Sequence, residues 1–273
     1  MFSKRRNGAF TLIELVIVIL LVSIVAISLG GLVTQSMRGY IDAKDRNRFS
    51  QSAKWVTERI SREVREALPQ SVRTGVNAGV HCVEFMNILN ASTSLDLPAN
   101  GPVTNFNAVG FDLTFSAGML VAIMPINPGS VYAFAGTLGN VQTITPAGVP
   151  LGSQVTITLA PAAIFSQRSP KDRFYLLDSP VSFCLNNNNG EMRRYSNYAV
   201  NAAQPFSAPA GALDELMGEN FSASGAVFTY LPGSLSRAGL LQMNFRMQSR
   251  SRNLAVNEEA FEVFHEVHVR NVP

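Results

Sequence analysis

Hydrophobic positions change their spacing twice along this chain. Residues 15–33 contain no charge, and their 19 positions are almost all apolar. That matches the roughly 20 residues a helix needs to cross the hydrocarbon of a bilayer. Lys4, Arg5 and Arg6 stand ahead of the run. Cations on that flank hold it on the cytoplasmic side, so the remainder is expected outside. A secretory signal peptide would have a shorter apolar core followed by a small-residue cleavage site. Here the run is too long, and Gly30-Gly31-Leu32-Val33-Thr34-Gln35 makes a poor site.

Past residue 33 the apolar positions fall three and four apart. Phe49, Ala53, Val56, Ile60, Val64, Ala67 and Leu68 form one stripe of an amphipathic helix. Glu58/Arg62, Arg59/Glu63 and Arg62/Glu66 are each four apart and are expected on its exposed side. Pro69 ends the pattern. A continuous helix from Phe10 to Leu68 would be about 88 Å long, far more than a bilayer requires. Its first half is therefore expected to span the membrane and its second half to pack on a soluble head. Gly30, Gly31 and Gly39, each costing about 1 kcal/mol against Ala in a helix, predict a weak joint between the halves.

From residue 70 onward the period becomes two. Phe111, Leu113 and Phe115 alternate with polar residues, as do Val155, Ile157 and Leu159, and Leu241, Met243 and Phe245. Such runs predict half-buried, mostly antiparallel strands. Asn189-Gly190 closes an Asn-rich turn between residues 181–185 and 191–195, a strong hairpin signal. The predicted class is α+β: a long N-terminal helix, membrane-spanning in its first half, packed on a β-rich, mostly antiparallel globular head.

Composition narrows the chemistry. Among 273 residues the formal charge is +3, with 47% hydrophobic, 15% charged and 17 Phe, which excludes a disordered chain. Without residues 1–9 the balance is 22 − 3 = 19 basic against 19 acidic. A neutral remainder argues against a general binder of nucleic acid or anionic membrane. Between Gly75 and Gln167 there is no Lys or Arg, as in a secreted β-domain solvated by Asn, Ser and Thr. Arg193, Arg194, Tyr195 and Tyr198 form the one basic–aromatic cluster able to touch nucleic acid; it reads more simply as a solvated hairpin. His265 and His268, with Glu262 and Glu266 nearby, lie three apart on a strand pattern and so point to opposite faces. No metal site and no cofactor are expected. There is no Gly-x-Ser-x-Gly elbow, and none of the four lysines follows a Gly as in a phosphate loop, so no enzymatic activity is expected. Cys82 and Cys184, the two cysteines, fall in the part expected outside the cytoplasm. With one partner available to each, they are expected to pair; two buried thiols are the alternative.

Glu14 breaks the apolar pattern, the only charge between Arg6 and Arg38. A carboxylate at membrane depth costs about 2.5–3.5 kcal/mol even on lenient insertion scales, so it calls for a counter-ion. A cut after Ala9 would create an α-amine on Phe10, one helical turn from Glu14. The segment from Gly8-Ala9-Phe10 through Thr11-Leu12-Ile13-Glu14 to Leu15-Val16-Ile17-Val18-Ile19 resembles the class III signal of type IV pilins and pseudopilins. That resemblance implies a prepilin peptidase that removes the basic leader and N-methylates the new first residue, here Phe10, with Glu14 the fifth mature residue and the assembly carboxylate. The family usually has Gly directly before Phe, whereas here Ala9 intervenes; a cut after Gly8 would shift both positions by one. The Ala9–Phe10 cut preserves the amine–carboxylate geometry.

Residues 60–73 resemble the helix end of the large minor pilins. Arg173-Phe174-Tyr175-Leu176, Pro180-Val181-Ser182-Phe183-Cys184 and the ending from Phe264 to Pro273 resemble minor pilins of the mannose-sensitive haemagglutinin (MSHA) pilus. The implied organisation is a leader at 1–9, a membrane and filament-core segment at 10–33, an amphipathic half-helix at 34–69 and a β-rich head at 70–273. The implied role is structural: a minor pilin helping to begin or cap a pilus, held in the bacterial inner membrane with its head in the periplasm, then placed at the pilus tip. Its implied partners are other minor pilins, the major pilin, the prepilin peptidase and the inner-membrane assembly platform, with no nucleic acid. A type II secretion pseudopilin, or a pilin head that binds carbohydrate or DNA for adhesion, is the alternative.

Overall fold

Fifty-four residues, Leu12–Arg65, form one helix, α1, in a computed structural model that describes residues 11–98, 101–116, 118–133, 139–145, 153–165, 167–234, 237–248 and 260–269. Ala9 and Phe10 lie outside the described residues. Helix α1 runs through Gly30, Gly31 and Gly39 without a break. The chain divides between Ser50 and Gln51 into two compact units.

The described part of the first unit is helix from Leu12 onward, with exposed apolar side chains. Leu12, Ile13, Leu20, Leu21, Val22, Ile24, Leu32 and Val33 are all exposed. Two hydroxyls in this segment are satisfied locally: Ser23 donates to the Ile19 carbonyl at 2.7 Å, and Thr34 to that of Gly31 at 2.9 Å. Back-bonding of this kind lets a hydroxyl sit on an apolar helix without an orphan donor.

In the second unit the helical stripe is covered. Ala53, Val56, Ile60, Val64, Ala67 and Leu68 are buried. The helix stops at Arg65, three residues before the predicted end. Leu68 is extended (ψ 120°), as a residue before proline prefers. Its N–H donates to the Met86 carbonyl at 2.8 Å, and Ala67 bridges to Asn87, so sheet pairing takes over the last apolar positions of the stripe. Ile60→Ala should destabilise this unit by about 2–5 kcal/mol, the cost of emptying a fully buried branched side chain. Denaturant unfolding of the full chain in detergent micelles checks it.

After a short 3-10 turn at Pro69–Ser71 come β1 (Arg73–Asn77), β2 (Val80–Thr93), β3 (Val103–Val109), β4 (Leu120–Ala122), a short helix α2 (Pro128–Tyr132), β5 (Val141–Thr143) and β6 (Gln154–Ala163). The second half of the head holds β7 (Arg173–Asn186), β8 (Glu191–Ser196), β9 (Leu213–Gly218), β10 (Phe221–Ser222), β11 (Phe228–Leu231), β12 (Gly239–Gln248) and β13 (Ala260–Val269). Every named pairing is antiparallel. Strand β7 organises a seven-stranded sheet. One of its edges pairs with β2, which continues to β1; the other is shared by β4, which leads to β5, and by β8, which leads to β9. A four-stranded sheet centres on β12, and β3 pairs with β6 in a two-stranded sheet.

The predicted hairpin is β7–β8, and the predicted runs at 155–159 and 241–245 lie in β6 and β12. In the hairpin turn Gly190 takes φ +74°, a conformation open to glycine at no steric cost, and its N–H donates to the Asn186 carbonyl at 2.8 Å. Residues 111–115 are a correction: they form no strand. Phe115 is buried and Phe111 and Leu113 are partly so, within a cluster that includes Phe106, Ile157 and Phe174. The alternation there records which side chains turn inward, without a neighbouring strand to complete a ladder.

Candidate functional site

Thr11 opens α1. Its carbonyl accepts the first helical bond from the Leu15 N–H at 3.2 Å, and its Oγ1 accepts from the Glu14 N–H at 3.4 Å. Thr11-Leu12-Ile13-Glu14 thus has the Thr-x-x-Glu spacing of a helix-opening cap, with Glu14 in the first turn. Unpaired N–H groups give that end of a helix partial positive charge, which favours a carboxylate there. Glu14 therefore sits in the first turn of α1, at the end where the backbone carries that partial charge. Behind it, α1 is the one helix among the described residues long and apolar enough to cross a membrane, and none of its apolar window is buried within the protein.

The head carries a second set of polar groups, and these are inward-looking. Glu84 of β2 is fully buried. Arg73 Nε donates to its Oε2 at 2.6 Å, and the Tyr198 hydroxyl donates to its Oε1 at 2.9 Å. Ser182 Oγ lies 2.6 Å from the Tyr198 oxygen, and the Arg73 guanidinium stands 3.7 Å over the Tyr132 ring. Burial raises the Glu84 carboxyl above its ordinary value, against the pull of Arg73 and the Tyr198 hydroxyl. Burial and then the nearby Glu84 charge also raise the Tyr198 phenol, which keeps it protonated as a donor. Each group in this network is occupied in holding another.

The basic–aromatic cluster is likewise spent on the protein itself. Arg193 pairs with Glu191 (2.7 Å) and Asp214 (2.8 Å). Arg194 pairs with Glu63 of α1 at 3.1 Å and with Glu215 at 2.7 Å. Tyr195 and Tyr198 are buried. Glu63, expected on the exposed side of the helix, is instead buried and also takes Arg59 as a partner. Sequence reasoning missed this tie between helix and sheet, because its partners are 131 positions apart.

Cys82 and Cys184 face each other across β2 and β7 and are joined in a disulfide. On β13, His268 is exposed while His265 turns toward the half-buried side, so the two occupy opposite faces. Among the described residues no three His, Cys, Asp or Glu side chains are grouped to hold a metal ion.

Residues 4–30 match the family described as the prokaryotic N-terminal methylation motif. No curated protein and no solved structure matches the chain. The motif implies processing by a prepilin peptidase and assembly with other pilins, proteins whose role is structural, and with the apolar helix it is consistent with inner-membrane anchoring. The methylation motif at residues 4–30, running into an apolar helix that the described residues leave uncovered, indicates a type IV pilin-like prepilin.

Proposed function

We propose that this prepilin is a minor pilin that helps to initiate or cap assembly of a type IV pilus of the MSHA kind, most like the MSHA pilus biogenesis protein MshO. The observation that carries the reading is the methylation motif at residues 4–30 joined to a helix whose apolar window is exposed among the described residues. Such a surface is stable in two settings, a bilayer before assembly and a bundle of like helices after it. The prepilin peptidase cuts between Ala9 and Phe10 and methylates Phe10; Glu14 then serves as the assembly carboxylate. The head, 70–273, faces the periplasm and later the pilus tip, next to other minor pilins and the major pilin. The inner-membrane platform drives the transfer.

Mass analysis of the mature N-terminus is expected to show methyl-Phe at position 10. A terminus at Ala9 would place Glu14 sixth and overturn the proposed pairing. A type II secretion pseudopilin shares the same N-terminal chemistry; neighbouring genes for a secretion apparatus, with no pilus subunits among them, would assign the chain there. The paired state of Arg193 and Arg194 weakens the reading of the head as a nucleic-acid binder.

A further inference from the structure

The large sheet has two differently covered faces. Arg194 reaches Glu63 of α1 and stands over Phe183, so the helix lies on the face that carries Phe183 and Arg194. Side chains alternate along strands, and the register therefore sends Gly75, Cys82 and Cys184 to the other face. That face is crossed by residues 197–212, the segment between β8 and β9. Tyr198 is tied to Glu84, Arg73 donates to the carbonyls of Asn201 (2.8 Å) and Ala202 (2.6 Å), and Gln204 Nε2 donates to the Cys82 carbonyl at 3.3 Å. Phe206 and Ala212 pack against the cluster formed by Cys82, Cys184, Tyr195 and Tyr198. Beneath them the cysteines are 0% and 2% exposed. Gly75, opposite Cys82 on β1, leaves room for this crossing: a Cβ there would come within 2.8 Å of both Gln204 Oε1 and Phe206 Cζ.

Joining the two thiols needs an oxidant, here a disulfide of a carrier protein or small molecule. One cysteine thiolate attacks a carrier sulfur and expels a carrier thiol; the second then attacks the mixed disulfide and expels the other. The two cysteines lose two protons and two electrons, and the carrier disulfide becomes two thiols. Each displacement requires the carrier sulfur in line with a cysteine sulfur, and the crossing segment occupies that approach.

We propose that residues 197–212 form a strap that closes over the sheet only after Cys82 and Cys184 have been oxidised, and that the closed strap then seals the bond against attack by thiols. Oxidation by a disulfide carrier is thus the step that precedes the last stage of head folding.

Exchange rates of the full-length chain in detergent micelles test this. The disulfide is reduced with dithiothreitol, and free thiols are trapped with iodoacetamide and counted by mass. The native wild type should be reduced at least about a hundredfold more slowly than the same chain in guanidinium, because exchange waits on local opening. Phe206→Ala, which removes the cover, should be reduced about tenfold faster than wild type under native conditions. After reduction, reoxidation by oxidised glutathione should proceed at the wild-type rate, because the strap lies open in both reduced chains. Gly75→Val, which wedges the strap from below, gives a second route to the same acceleration should Phe206→Ala fail to fold. Native reduction of wild type as fast as in guanidinium, variants reduced at the wild-type rate, or a reduced Phe206→Ala chain that reoxidises faster than reduced wild type would overturn the proposal.

Discussion

Glu14→Gln should leave the protein cleaved, methylated and membrane-bound, yet lower its incorporation into filaments by about tenfold or more. The substitution keeps the size of the side chain and removes only its charge. It also keeps the start of the helix: the Glu14 N–H bond to Thr11 Oγ1 is a backbone donation that does not depend on the side chain, and Gln serves the third helical position of a cap as Glu does. Processing depends on the leader, which is untouched. On the proposed cleavage, what is lost is the partner of the α-amine on Phe10. In the bilayer that amine can stay near the interface, but entry into a bundle of apolar helices strips its water. An unpaired charge in such surroundings costs several kcal/mol, and 1.4 kcal/mol is already a factor of ten. Thr11→Val separates capping from charge: it removes the Oγ1 acceptor at a cost of about 1 kcal/mol to the helix start and should assemble nearly as wild type. Filament fractions immunoblotted for each variant give the answer. Wild-type incorporation of Glu14→Gln, or an equal loss in Thr11→Val, would refute the pairing argument.

What could be read along the chain, and what could not, follows the range of each interaction. The helix and its stripe from Ala53 to Leu68 repeat every three to four residues, so any stretch of a dozen positions displays them. The turn at Asn189-Gly190 and the alternation in β12 are equally local. Residues 111–115 show the limit of that signal, since alternation reports the side on which a side chain lies and not whether a second strand stands beside it. Helix termination at Arg65 depends on Met86 and Asn87, which capture Leu68 and Ala67 from β2. The ionic contacts of the head were hidden for the same reason. Arg73, Glu84 and Tyr198 meet through β1–β2 register and a later crossing segment, and Glu63 finds Arg194 only once β8 is in place. Spacings of four along α1 gave Glu63 a local partner, Arg59, but placed it on the wrong side of the helix. The N-terminal motif was legible because its chemistry is contained in consecutive residues, read in the chain by a peptidase.

Loss of the protein should reduce the number of pili per cell several-fold while leaving the length of the remaining pili close to wild type. Residues 70–273 make up 204 of the 273 positions. In a shaft every subunit must sit close to the next, because the apolar helices are covered only by one another. A head of this size at every repeat would force the helices apart and leave apolar surface uncovered, whereas at the end of a filament nothing stands above it. The same economy predicts its function. Beginning a filament is its costliest step, since the first subunits leave the bilayer before any bundle exists to receive them. A subunit that can bury its own stripe, Ala53 to Leu68, within its head and offer only the segment before it to partners lowers that cost once per filament. Initiation would then fail without it, while growth of those pili that do start would continue. Epitope label on purified filaments should therefore mark one end at few copies each. Regular decoration along the shaft, or pili of normal number and reduced length in the deletion strain, would identify a major subunit or an elongation factor instead.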